Sequence, residues 1–315
     1  MSKFILPVSP GVLSLNTSPT PEQIHRLRQG DYHKVDIYYG DYPNLHFLAE
    51  GAAHIREVNV HADMGHSLQV LSDLTRLEGL GLRGVSYAPG FDPGRLPALR
   101  YMAVDWHPDY PPLHCPRLEA LYLYGPHAPD LRTVHAPTLR CLSVNGIPLQ
   151  STQGIENFSR LEQLWLMQQY RLEDFRGVEQ LHQLKKFRAD FCDIANWRPN
   201  PLRELTQLCH IEILNRQPGV LFPELHWLES FQALEYFAAR SCSTHLSWPR
   251  LFSLPKLHAL AISVNAEAQP WWESELHAIA RACGREVESL SCGERRGVLQ
   301  CSVYFRKPEV TAGTP

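Results

Sequence analysis

Leu118-Glu-Ala-Leu-Tyr-Leu123 decides the fold, because its spacing, L-x-x-L-x-L, returns along most of the chain. Clear further copies are LEGLGL from Leu77, LEQLWL from Leu161 and LHALAI from Leu257. With the first residue of the motif as position 1, copies start at Tyr32, Ile55, Leu77, Leu99, Leu118, Leu139, Leu161, Leu184, Leu208, Leu234, Leu257 and Val287. Their spacing is about 22 residues. Positions 4 and 6 are apolar or small throughout, as in Val58/Val60, Leu121/Leu123 and Leu164/Leu166. Leu13 and Leu15 fit a weaker first strand. Such alternation is the pattern of a short β-strand with one buried face. A unit this small cannot bury that face alone, so a fixed period means stacked units whose core grows in one direction. About a dozen strands, stacked in register, are expected to form one long parallel sheet.

The segments between strands are of two kinds. In one, apolar residues stand three and six positions before position 1, as in Leu71/Leu74, Ile155/Phe158, Val178/Leu181, Leu202/Leu205, Leu228/Phe231 and Leu251/Leu254. A spacing of three predicts a short helix or 3₁₀ turn. In the other, from about Ser86 to Leu139, the links are shorter, and Pro97, Pro116 and Pro137 each precede position 1 by two residues. Proline removes a backbone donor and disfavours helix at the residue before it, so irregular or turn-like connections are expected there.

The repeated motif resembles that of the leucine-rich repeat family, over roughly Tyr32 to Cys292. The links with apolar residues at threefold spacing look like the repeat class of the regulatory subunits of protein phosphatase 1. The resemblance implies an α/β solenoid, a horseshoe with a parallel sheet on its concave side and short helices, 3₁₀ turns or loops on its convex side. The family's Asn or Cys at position 9 is matched only in part: Cys192, Cys242 and Asn265 fit, Asp63 is a substitute, and Arg216 and Arg295 depart from it. The array is therefore expected to be irregular.

The expected domain plan has an N-terminal cap over 1–31, repeats over 32–270, a C-terminal cap over 271–306 and a tail over 307–315. A solenoid end exposes its core and needs a cap. WWESELHAIARAC, Trp271 to Cys283, reads as a helix stopped by Gly284, and VESLSC and VLQCSVYF as two strands around the turn GERRG. The first of those strands holds the last motif copy, at Val287.

The chain has 315 residues and a net charge of −3 from 30 Lys and Arg against 33 Asp and Glu. That balance leaves no basic footprint for nucleic acid or anionic lipid. No apolar run nears the roughly 20 residues that span a bilayer. The opening MSKFILPVSPGVLSL is broken by Pro7 and Pro10 and reads as the start of the folded chain. The eight cysteines are scattered, with no C-x-x-C, which favours a reducing, cytoplasmic setting and argues against a disulfide or zinc framework.

Gly79-Leu-Gly-Leu-Arg-Gly84 matches the dinucleotide-binding GxGxxG string, but its glycines fall inside a repeat strand instead of a strand–turn–helix junction. The neighbours His114-Cys115 and Cys209-His210 are expected to point to opposite faces of a strand, which places each pair badly for proton transfer. No nucleophile–base–orienter set, metal-ligand spacing or Walker motif is present, so the chain is read as a non-enzyme without cofactor, metal or small-molecule substrate.

Function is then expected on the outward strand face, at positions 3, 5 and 7. That face carries Tyr38, His61, Arg83, Tyr101, Asp105, Tyr122, Tyr124, Trp165, Arg188, Asp190, His210, Glu212, Tyr236 and Arg240. Tyr, Trp and Arg bury large areas while keeping a polar handle, which is why they dominate protein–protein hot spots. The reading is a cytoplasmic protein-binding solenoid whose concave face grips a protein partner. It would act as an inhibitor or immunity protein covering an enzyme or toxin, or as an adaptor or regulatory subunit; the alternative from a different class is an enzyme with a site on the concave surface.

Overall fold

The computed structural model describes residues 10–39, 42–61, 68–85, 90–127, 129–169, 171–190, 200–214, 225–242, 248–264, 272–295 and 298–306. The chain divides into two compact units, Met1–Pro148 with Gln153–Leu161, and Leu149–Thr152 with Glu162–Pro315.

In the first unit, strand β1 (Val12–Leu15) is followed by helix α1 (Pro21–Gln29) and then by β2 (Lys34–Ile37), β3 (Glu57–Val60) and β4 (Gly79–Leu82). Strands β5 (Tyr101–Asp105), β6 (Leu113–His114), β7 (Ala120–Tyr124), β8 (Val134–His135) and β9 (Cys141–Asn145) complete it. The order β1-β2-β3-β4-β5-β7-β9 is parallel at each pairing. The register carries Val35 onto Val58, Leu80, Met102, Leu121 and Leu142, so position 4 forms a continuous buried row. Position 1 is buried in the same way, from Tyr32 through Leu139.

Helix α1 lies inside the segment expected only to be a cap. Its signal is local: Thr20 and Gln23 close a capping box, Pro21 opens the first turn, and Gly30 ends it in the left-handed conformation at φ 83°. Its Leu27 is fully buried.

The proline-rich links are more regular than expected. Strands β6 and β8 pair in parallel as a separate two-stranded sheet, with His114 beside His135 and their rings stacked at 4.8 Å. Leu113 and Val134 are buried there, and the Cys115 N–H donates to the His135 carbonyl at 3.0 Å. Pro116 and Pro137, which offer no donor, follow these short strands closely.

The second unit repeats the plan with β10 (Gln163–Met167), β11 (Lys186–Asp190), β12 (His210–Leu214), β13 (Tyr236–Cys242) and β14 (Ala259–Val264), all parallel. Its buried row runs Leu164, Phe187, Ile211, Phe237, Leu260. The threefold apolar spacing of the links produces the turns it predicts. They are 3₁₀ segments at Gln69–Asp73 and Ile155–Asn157 in the first unit and at Val178–Gln180 and Leu225–Ser230 in the second, with hydrogen-bonded turns over 201–204. At Leu251 the link is instead a short α-helix, α2 (Trp248–Phe252).

Gly154 starts the Ile155–Asn157 turn at φ 99°, and a Cβ there would lie 2.5 Å from the backbone nitrogen of Arg132. Only glycine fits that approach.

At the C-terminal end, α3 (Trp272–Ala282) precedes β15 (Val287–Arg295) and β16 (Val298–Phe305), an antiparallel hairpin. Here the last motif copy departs from expectation. Val287 opens the outer strand of the hairpin, and β16, not β15, pairs with β14, antiparallel. Val287 and Leu290 are only half-buried, so they do not continue the buried row; Val303 of β16 sits beside Leu260 instead. Strand β15 also runs through Gly293 to Arg295, which shortens the expected turn to the residues after it. Arg285 holds the cap by donating to the carbonyls of Leu254 and Leu257 and lies over the Phe305 ring at 4.5 Å. Of the position-9 residues, Asp63, Cys192, Arg216 and Asn265 lie outside the described residues, as do Trp271 and the tail over 307–315, while Cys242 and Arg295 are placed only as strand positions.

Two stability outcomes follow from this packing. Leu121, fully buried in β7, should cost about 2–5 kcal/mol on replacement by alanine, read from urea unfolding; a loss near zero would place it outside the core. Asp174 accepts from Arg176 and from Ser151, and the Arg176 hydrogen bond above all holds its carboxyl down at about 2. A depressed carboxylate stabilises the fold above its unfolded pKa, and that stability is lost as pH falls through about 2. Asp174→Asn should therefore be less stable than the parent at neutral pH, with the gap closing on acidification; a gap that stays constant with pH contradicts the linkage.

Candidate functional site

In the first unit, positions 3, 5 and 7 of the repeats of β2, β3, β4, β5, β7 and β9 make the open face of the sheet. Tyr38 stacks on His61 with ring centroids 5.3 Å apart. Beside them a polar network lies flat across the strands. Lys34 Nζ donates to Glu57 at 2.6 Å, and Asn59 Nδ2 donates to Asp36 at 2.9 Å and to Glu57 at 2.8 Å. This network needs the glycines of β4. A Cβ on Gly81 would fall 2.3 Å from Asn59 Oδ1, and one on Gly79 would fall 3.1 Å from Glu57 Cγ. Gly79 and Gly81 thus serve the sheet face from within β4, and the GxGxxG string has a structural cause.

The next rows form an aromatic cluster. Tyr101 lies between Gly79 and Ala120 in register, neither tall enough to cover its ring, and it remains 42% exposed. Its ring meets Tyr122 diagonally, with centroids 5.2 Å apart. The Tyr122 hydroxyl contacts Cys141 Sγ at 3.6 Å. Arg83 places its guanidinium 3.4 Å from the centroid of Tyr124 and donates from Nε to Asp105 at 3.1 Å. Asp105 also accepts from the Gly84 N–H, where the chain turns at φ 67°. Burial, first among the causes, pushes the Tyr122 and Tyr101 phenols upward, so both stay neutral donors at any physiological pH. The expected residues Tyr101, Tyr122, Tyr124, Arg83 and Asp105 are therefore brought together, with Tyr38 and His61 just past the ends of the neighbouring β2 and β3.

In the second unit, Arg188 is gripped by two carboxylates. Its Nη2 donates to Asp190 at 2.8 Å, and its Nη1 lies 3.2 Å from Glu212. Asp190, expected on the partner-facing surface, is only 4% exposed; it fixes the Arg188 guanidinium and presents little surface of its own. His210 stacks on Tyr236 at 4.4 Å, nearly parallel. Burial lowers the His210 pKa, helped by Lys186 and Arg188, so the ring is neutral where it stacks. Trp165 is half-buried beside Arg188 in register. Arg240 is placed in β13, and its side chain lies outside what the structure describes.

Beside this cluster a trough of about 200 Å³ has Ala238, Ala261 and Ser263 among its lining residues, with Glu212 and Tyr236 on one side and Gln300 and Ser302 on the other. Small side chains in adjacent rows leave the gap. The hairpin residues Gln300, Ser302 and Tyr304, the last 47% exposed, belong to this face and were not expected there. Their signal was available in the alternation of VLQCSVYF, but only the antiparallel placement of β16 brings them beside β14.

Among the described residues, no three His, Cys, Asp or Glu side chains are placed to hold a metal ion. No described helix is long and apolar enough to cross a membrane. What both faces offer chemically is aromatic area, neutral hydroxyl donors and guanidinium groups held by neighbouring carboxylates.

No family model matches the sequence, and no curated protein matches it. Solved structures do. An internalin from Listeria monocytogenes is similar at 14% identity, over 75% of this chain and 69% of that one, with a TM-score of 0.56. A leucine-rich-repeat protein from Leptospira interrogans is similar at 13% identity, over 85% of this chain and 80% of that one, with a TM-score of 0.55. TLR13 in complex with ssRNA13 is similar at 15% identity and a TM-score of 0.53; 82% of this chain matches, spanning 47% of the receptor chain. The buried rows, the parallel pairing and these likenesses agree on one conclusion: the chain has the leucine-rich-repeat fold.

Proposed function

We propose that this chain is a non-enzymatic binding scaffold that seats a protein partner on the open face of its repeat strands. The observation that carries the proposal is the cluster in the first unit, where the half-exposed Tyr101 adjoins Tyr122 and Arg83 is set over Tyr124. Aromatic rings already packed against their neighbours lose little freedom when a partner covers them, and they bury large areas. A standard interface needs about 800 Å² on each side, within reach of several adjacent strands.

Charge on the face favours protein over nucleic acid. Lys34, Arg83 and Arg188 each already meet a carboxylate, so they offer a phosphate backbone little net attraction. The scaffold would act by coverage. In the specific form we favour, it is a cytoplasmic inhibitor, such as an immunity protein that occludes an enzyme or toxin.

The test uses the full chain as bait, with bound proteins identified by mass spectrometry and then purified for titration. Tyr101→Ala should weaken the recovered complex about tenfold or more, equal to at least about 1.4 kcal/mol, and leave the thermal midpoint nearly unchanged. Unchanged affinity would remove the cluster from the interface. Retention of single-stranded RNA in place of a protein, or turnover of a small molecule, would overturn the proposal.

A further inference from the structure

The cysteines look scattered in sequence, yet the C-terminal hairpin sets two of them face to face. Cys292 on β15 and Cys301 on β16 are direct cross-strand partners, nine residues apart, with their sulfurs 2.9 Å from each other. Cys301 is buried and is also the register partner of Ile262 on β14. Cys292 is half-exposed, and its N–H donates to Glu273 on α3 at 3.0 Å. We propose that Cys292 and Cys301 are a modification site, a dithiol that low-molecular-weight disulfides of the glutathione class convert to an intrachain disulfide.

Several observations support this beyond proximity. Side chains directly opposite on antiparallel strands lie at a separation a disulfide can bridge without backbone movement. The two thiols also differ in reactivity. The Cys301 thiol, hydrogen-bonded to its neighbour, holds Cys292 below the ordinary cysteine range, while that same bond and burial push Cys301 up. Cys292 is thus the attacking group and Cys301 the resolving one. Burial pushes Cys115 up to about 12 and raises Cys209 as well, so these thiols are poorer competitors.

The reaction balances without further reagents. The Cys292 thiolate attacks one sulfur of oxidised glutathione, whose S–S bond breaks and releases one glutathione thiolate. Cys301 then loses its proton, and its sulfur attacks Sγ of Cys292, forming the protein disulfide and releasing the second glutathione. Two protein thiols are oxidised, and one small disulfide is reduced to two thiols. The product joins β15 covalently to β16, which pairs with β14 and carries Gln300 and Ser302 on the wall of the trough. Oxidation would therefore fix the register of that wall.

The full chain is incubated with oxidised glutathione or with dithiothreitol, and its peptides are mapped without reduction. The expected result is a linked pair of peptides holding Cys292 and Cys301, reversed by dithiothreitol, with a thermal midpoint a few degrees higher in the oxidised form. Cys292→Ser should abolish both effects, and Cys283→Ser should leave both intact. Linkage is read on the unsubstituted chain, so a variant that folds poorly does not blunt the test. Absence of the Cys292–Cys301 link, a stable glutathione adduct on Cys292, or a link from either residue to Cys283 would overturn the proposal.

Discussion

The repeat array depends on one constraint: a strand of four or five residues cannot bury its own apolar face. Each repeat supplies buried side chains from its strand and its link, with a ladder of backbone bonds, and it becomes stable only when a neighbour supplies the same in register. Hence Val58 sits beside Leu80 and Phe187 beside Ile211. The strictness of that stacking leaves the opposite face free of any packing duty, and there the residues vary from repeat to repeat.

The face is less free than an exposed surface sounds. Arg83 is held by Asp105 and covers Tyr124, and Arg188 is held by Asp190 and Glu212. Such pairs add little stability when solvated, but they fix the direction of the guanidinium. The result is a patterned surface of oriented donors and rings, in which charges are matched locally. A partner would meet it largely by shape and hydrogen bonding.

The strands were legible in sequence because burial alternates with a period of two, and positions 1, 4 and 6 are the same physical environment in each repeat up to β14. Residues such as Tyr101, Tyr122 and Arg83 could be assigned to the open face by the same parity. Depth on that face was not legible. Asp190 lies in the outward series and is nonetheless buried, hydrogen-bonded to Arg188. The cap was harder still. VESLSC mimics the motif, and only the third dimension shows that VLQCSVYF takes the place beside β14. The meeting of Cys292 with Cys301 was hidden for the same reason, since it depends on the hairpin register. Helix α1 was written plainly in Thr20-Pro-Glu-Gln23 and Gly30, a local code independent of the repeat period.

The glycines of β4 bear on how this chain can change over time. Asn59 occupies the space that a side chain at position 81 would need, with 2.3 Å between its oxygen and a Cβ there. The two positions lie on neighbouring strands and are separated by a whole repeat in sequence. A side chain at position 81 requires the Asn59 amide to turn away, and that costs Asp36 and Glu57 their shared donor. The two positions are therefore coupled, and a double-mutant cycle on Asn59 and Gly81 would read this dependence as coupling energy. In a repeat array, where units look interchangeable, this contact ties the choice of residue on β3 to the choice on β4.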